Sequence, residues 1–193
     1  MNGAERTVYE ALVDQLGEHD IVLSNRRVTN HHKDYEIDFV VHLDGLGVVC
    51  VEVKGGQVSH DGSTWVQTRQ GMDHAIDPVA QVREAKYALR TYVEDDPRWT
   101  LGKGFPWTHV VVLPNTELQQ DFSLPDCPRW SVVDRTGLCL GSGTRCVPFC
   151  VTSRTAPLIH DLVNNCWRCS VGEGCRRRTS SREPSRTRTP RRR

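Results

Sequence analysis

No run of apolar residues in this 193-residue chain approaches the ~20 that cross a bilayer, so no membrane-spanning helix is expected. The opening residues, MNGAERTVYEAL, are charged where a secretory signal needs an apolar stretch, which places the chain in the cytoplasm with no membrane partner. Cysteine is nearly missing from the first 126 residues, where only Cys50 occurs, whereas Cys127, Cys139, Cys146, Cys150, Cys166, Cys169 and Cys175 crowd the remainder. In a cytoplasmic chain that distribution gives no ground for disulfides. Residues 176–193, RRRTSSREPSRTRTPRRR, contain nothing apolar to bury and are expected to stay disordered. Acidic groups are scarce there too. Nine arginines stand against Glu183 alone, while residues 1–175 hold 16 basic and 23 acidic residues, so the net charge of +1 conceals a basic tail on an acidic body.

What is present divides along the same lines. The length suits one domain with a sizeable core plus an appendage. We read a domain over residues 1–140, a cysteine-rich segment of open structure over 141–175, and the tail over 176–193. The domain is organised around residues 36–55, EIDFVVHLDGLGVVCVEVKG. Ile37, Phe39, Val41 and Leu43 alternate with Glu36, Asp38, Val40 and His42, which is the period of a strand, and Asp44-Gly45 marks a reversal. In the strand that follows, Val49, Val51 and Val53 fall on one side and Val48, Cys50, Glu52 and Lys54 on the other. Asp38, Glu52 and Lys54 thus converge on one hairpin.

A Glu-x-Lys triplet by itself is an ordinary surface ion pair. Here both strands are nearly continuous apolar runs, as in strands covered on two faces. Two carboxylates beside a lysine in such a setting need a partner or a cation. Close carboxylates supply hard oxygen ligands for Mg²⁺, which keeps several waters and shares its shell with phosphate oxygens.

Asp38 followed by Glu52-Val53-Lys54 resembles the core of the PD-(D/E)XK nucleases. The wider text, EIDFVV, GVVCVEVKGG, a later tryptophan and DPVAQ, is similar to the nuclease-related domain family, NERD, over about residues 5–140. The resemblance implies a restriction-endonuclease-like core and metal-dependent hydrolysis of phosphodiester bonds in nucleic acid, with DNA the expected partner. In that scheme Asp38 and Glu52 hold Mg²⁺ or Mn²⁺, the main-chain carbonyl of Val53 completes the shell, and Lys54 orients or activates the attacking water. Glu5, through its match to ERxVxxxL, and Gln81, of the DPxxQ stretch, assist from flanking helices. As ordinary residues, Glu5 would favour a helix N-terminus and Gln81 would fill a first turn.

The remaining elements follow from pattern. Residues 5–16 read as an amphipathic helix with Val8, Tyr9, Leu12 and Leu16 on one stripe. Residues 21–23 read as a short strand and 24–35 as a polar loop, whose Arg26, Arg27, His31, His32 and Lys33 either steer a phosphate backbone or are simply solvated. Residues 57–59 and 64–68 read as a second hairpin around Asp61-Gly62, with Trp65 in the core, in a lid or against a base. Asp77 caps and Pro78 opens a helix to about residue 94, burying Val79, Val82, Leu89 and Val93. Residues 108–113 and 130–134 read as strands, separated by connectors rich in proline, glycine and acidic groups. The order predicts an α/β fold, a mixed central sheet flanked by helices.

Cys146-x₃-Cys150 and Cys166-x₂-Cys169, fifteen residues apart, approach the spacing of a four-cysteine zinc site, with Cys175 as a substitute ligand. The stretch between them lacks the aromatic and glycine patterning of a zinc ribbon, and residues 158–163 read as a helical turn. The arginine tail either adds salt-sensitive attraction to DNA or RNA or is an aberrant C-terminus. Two other readings of the hairpin stay open: a non-catalytic nucleic-acid-binding module using the same fold and tail, and a purely structural ion pair.

Overall fold

The computed structural model describes residues 1–31 and 33–138. His32, the zinc candidates Cys146, Cys150, Cys166 and Cys169, the turn expected over 158–163 and the basic tail lie outside the described residues. Helix α1 (Gly3–Val13) precedes strands β1 (Ile21–Thr29), β2 (Asp34–Leu43) and β3 (Gly47–Val53). Strands β4 (Gln57–His60), β5 (Trp65–Arg69) and β6 (Met72–Ile76), helix α2 (Pro78–Glu94), and strands β7 (Trp107–Leu113) and β8 (Val132–Asp134) follow. The main sheet runs β1-β2-β3-β7-β8, antiparallel from β1 to β3 and parallel from β3 to β8. A second, antiparallel sheet has the order β4-β5-β6.

The central strand is β3, all of whose residues are buried. Val49, Val51 and Val53 pack with Val8, Ala11 and Leu12 of α1. Val48 and Cys50 pack on the opposite face with Val79, Val82 and Ala85 of α2. Both faces are therefore covered, as the unbroken apolar run requires. Trp65 is buried in the α2-side cluster beside Phe122, ring centroids 5.5 Å apart, so it belongs to the core rather than to a base-stacking surface.

Both helices start where their caps dictate. Asn2 accepts from the Glu5 amide at 3.0 Å and Glu5 accepts from the Asn2 amide at 3.0 Å, a reciprocal box. Asp77 accepts from the Ala80 amide at 2.9 Å with Pro78 next in line. Helix α1 ends at Val13, short of the expected residue 16, and Tyr9 lies exposed with its ring stacked on Phe39. On α2 the buried stripe is Val79, Val82, Ala85 and Lys86, while Leu89 and Val93 are half-buried.

Two expectations are corrected, and one strand, β6, was not foreseen. Residues 24–29 are not loop: β1 continues to Thr29, paired with β2 down to Thr29↔Asp34. As an edge strand it exposes polar side chains on both faces, which erases the alternation a sequence reader looks for. Strand β6 is mostly exposed and follows β5 through the positive-φ pair Gln70-Gly71, so its only signal was the turn. Ile37 joins the α2-side cluster, whereas Phe39, Val41 and Leu43 face α1. The simple alternation fails at Asp38, opposite Asn25, which has φ 49 and interrupts the β1–β2 pairing.

Gly47 is required by geometry. Its φ is +154, and a Cβ there would lie 2.7 Å from the Pro106 carbonyl oxygen that accepts from the Val48 amide. Gly47→Ala should cost on the order of 1–3 kcal/mol, read as a lower urea midpoint at unchanged slope. An unchanged midpoint would contradict this packing. Among the described residues no helix is long and apolar enough to cross a membrane.

Candidate active site

Strands β2 and β3 part at the point where the predicted residues meet. Their ladder ends at Phe39↔Val51, and the Val53 amide donates instead to Asp38 Oδ2 at 2.7 Å. On the other side the Lys54 amide donates to the Val112 carbonyl at 3.0 Å, so pairing toward β7 continues. Amide and carbonyl of one residue in an extended strand point the same way, which puts the Val53 carbonyl on the Asp38 side. Asp38 therefore enters from between the strands rather than from a sheet face.

Glu52 lies on the α2 face and is 3 % exposed. Burial, then the charge of Asp38, push its carboxyl up to about 7, against the pull of Lys54. Burial also raises Asp38, with Glu5 adding to the effect, while the Val53 hydrogen bond and Lys54 oppose it. Glu52 thus titrates in the field of Asp38. Lys54 Nζ sits 2.6 Å from Glu52 Oε1 and donates to Gln81 Oε1 at 2.9 Å, tying the end of β3 to the first turn of α2.

Glu5 comes near enough for its charge to act on Asp38, yet its carboxylate is engaged by Asn2, whose Nδ2 lies 2.5 Å from Oε1. What brings α1 so close is Gly55, where a Cβ would stand 2.8 Å from Ala4 Cβ. The sequence reading missed Gln67. This buried residue on β5 donates from Nε2 to the Gly55 carbonyl and so fixes the backbone immediately after Lys54. Its signal was a polar side chain two residues after Trp65, on the buried side of a strand.

In donor chemistry the pair fits a hard divalent cation: two mutually repelling carboxylates and a carbonyl, all oxygen. Among the described residues no group of three or more His, Cys, Asp or Glu side chains is placed to hold a metal. The remaining coordination would fall to water and phosphate, as Mg²⁺ tolerates.

The family model of the nuclease-related domain, NERD, matches residues 2–114, more than half of the chain. The chain belongs to the NERD family. The fold of NERD domains is that of the PD-(D/E)XK superfamily, in accord with the mixed sheet and its flanking helices. No curated protein and no solved structure matches the chain. In this NERD domain the matched region spans α1 through β7 and all the residues gathered at the strand parting, while β8 completes the sheet beyond it.

Proposed function

We propose that this NERD domain is a metal-dependent nuclease hydrolysing phosphodiester bonds in DNA in the cytoplasm. The observation that carries the reading is two carboxyls where β2 and β3 part, half-buried Asp38 accepting from the Val53 amide and buried Glu52 raised by burial and by the charge of Asp38, beside an amine held between Glu52 and Gln81. Mg²⁺ or Mn²⁺, held by Asp38, Glu52 and the Val53 carbonyl, would neutralise charge developing on the phosphate. The Lys54 ammonium has three N–H donors; Glu52 and Gln81 engage two, leaving one to orient the attacking water or a phosphate oxygen. Gln81 fixes that amine, and its amide donors suit a phosphate oxygen. Glu5 acts through Asp38, since the charge that favours a proton there also favours a cation. Incubating plasmid and oligonucleotide DNA with the protein and Mg²⁺, Mn²⁺ or chelator tests this directly: cleavage is expected only with metal.

Titration of Glu52 gives a second expected result. With no cation present, its raised pKa contributes stability that is full below the ordinary value of 4.5 and is lost as pH rises through about 7. A cation needs the ionised form and reverses that trend. Mn²⁺ at a hundredfold excess over its Kd should stabilise the protein by about 2–3 kcal/mol at pH 8, fading as pH falls through the Glu52 titration. A melting shift independent of pH would contradict ligation by Glu52.

One observation favours a second reading. Lys54 already neutralises Glu52 at 2.6 Å, as expected of a fold that binds nucleic acid without cutting it. That protein would bind DNA equally well with chelator or as Glu52→Gln.

A further inference from the structure

We propose that the cleft between the β1–β2 hairpin and α2 is a track for single-stranded DNA, with bases stacking on Tyr87 and Tyr92 and the backbone leading to the Lys54–Gln81 pair. Two hollows, about 410 Å³ and about 670 Å³, meet at Tyr35, which lines both. Gln81 lines the nearer one and accepts from Lys54, so that end of the cleft lies one hydrogen bond from Lys54.

The lining is distinctive for a chain with few aromatic residues. Three of the four tyrosines, Tyr35, Tyr87 and Tyr92, face this one cleft, and Tyr87 and Tyr92 are 53 % and 68 % exposed. Their ring faces are open to solvent and offer surface on which another ring can stack. Two of the rings carry a cation on one face: Lys86 Nζ lies 4.2 Å from the Tyr87 centroid and Lys33 Nζ 4.8 Å from that of Tyr35. Rings held in this way form a platform on which an unpaired base can stack.

Charge distinguishes a single strand from a duplex here. Arg27 is paired with Glu36, and Lys33 lies 2.5 Å from Glu84 across the cleft. These pairs are exposed and weak, so a phosphate oxygen can take the place of either carboxylate. With Asp34 also in the lining, two cations, Arg27 and Lys33, stand against three carboxylates, Asp34, Glu36 and Glu84, so net charge gives a polyanion no attraction there. A duplex, which presents chiefly phosphates, gains little there. Unpaired bases gain the stacking surface, which salt does not screen. Such a substrate fits only if the cleft leads to the hydrolytic residues, so the inference rests on the nuclease reading and adds the substrate class to it.

Fluorescence anisotropy on the full chain tests it, using one labelled sequence as single-stranded DNA, duplex DNA and RNA at ~0.5 M salt, where the arginine tail contributes little. Single-stranded DNA should bind at least tenfold more tightly than the duplex. Tyr87→Ala with Tyr92→Ala should weaken single-strand binding by roughly tenfold per ring lost and leave duplex binding unchanged. Tyr87→Phe with Tyr92→Phe, which keeps the rings, should retain it, and unchanged far-UV spectra would confirm that both variants fold. Tighter binding of duplex or RNA, an alanine variant with wild-type affinity, or equal loss in the phenylalanine variant would each overturn the inference. Cleavage by the wild type, set beside binding by the wild type and the alanine variant, separates the two ideas. Tyrosine-dependent binding without cleavage removes the nuclease reading and keeps the cleft, while cleavage with binding indifferent to the tyrosines removes the cleft alone.

Discussion

Glu52→Gln should lower metal-dependent DNA cleavage by on the order of 10²–10³ or more while leaving a folded protein. Glutamine keeps the side-chain shape and offers Lys54 an oxygen in place of Glu52 Oε1, which now lies 2.6 Å away. It removes the negative charge through which a cation would be held. Stability should move the other way. Glu52 is buried and its pKa is raised to about 7, so ionising it at pH 8 opposes folding when no cation is bound. The neutral amide removes that penalty, and Glu52→Gln is expected to gain on the order of 2 kcal/mol at pH 8. The gain should vanish near pH 5, where wild-type Glu52 is protonated in the folded state. Lost activity with raised stability is a pattern that a structural ion pair does not produce, because there the variant would be less stable. Parallel cleavage assays and urea titrations at the two pH values would show it, and equal activity in both proteins would remove Glu52 from the chemistry.

The largest effect on folding is expected at Asp134, two strands across the sheet from β3. Its side chain is fully buried at the end of β8. Oδ2 accepts from the Leu118 amide at 3.0 Å and from Arg129 Nη2 at 3.0 Å. Oδ1 accepts from the Thr136 amide at 3.1 Å, the Thr136 hydroxyl at 2.7 Å and the Gly137 amide at 3.0 Å. Burial alone would raise its pKa, but these donors and Arg129 together hold it below the usual carboxylate value. Stability from Asp134 is therefore present above that usual value and is lost as pH falls through the lowered one. Asp134→Ala strands several buried donors and an arginine at once, and about 3–5 kcal/mol should be lost at neutral pH. Asp134→Asn keeps one acceptor but turns its amide hydrogens toward other donors, so it should fall between the two. A urea midpoint within about 0.5 kcal/mol of wild type for the alanine variant would show that the network does not hold the fold together.

How much was legible in the sequence depended on burial. Strand β3 could be read because both its faces are covered, and α2 because Asp77 and Pro78 announce its start. Residues 24–29 and β6 could not, because strands with little buried surface leave no apolar period to detect. That Asp38, Glu52 and Lys54 share one hairpin followed from strand period and the turn between them, whereas Gln81 entered only through the resemblance to NERD. How Asp38 arrives did not follow: its carboxylate replaces a strand partner for the Val53 amide, and only the parting of β2 from β3 reveals this. Gln67 and the tyrosine cleft are tertiary facts. Residues from β1, β2 and α2 line the cleft, and no local pattern links Tyr35 to Tyr92.

That Asp38 and Glu52 grip one cation together is tested most directly by calorimetric titration of Mn²⁺ into wild-type protein, Asp38→Asn, Glu52→Gln and the double variant at pH 8. The wild type should bind one ion, each single variant should lose that binding, and the double variant should be no worse than either. Binding that survives either substitution at full strength, or a wild-type protein that takes up no ion, would contradict a shared site.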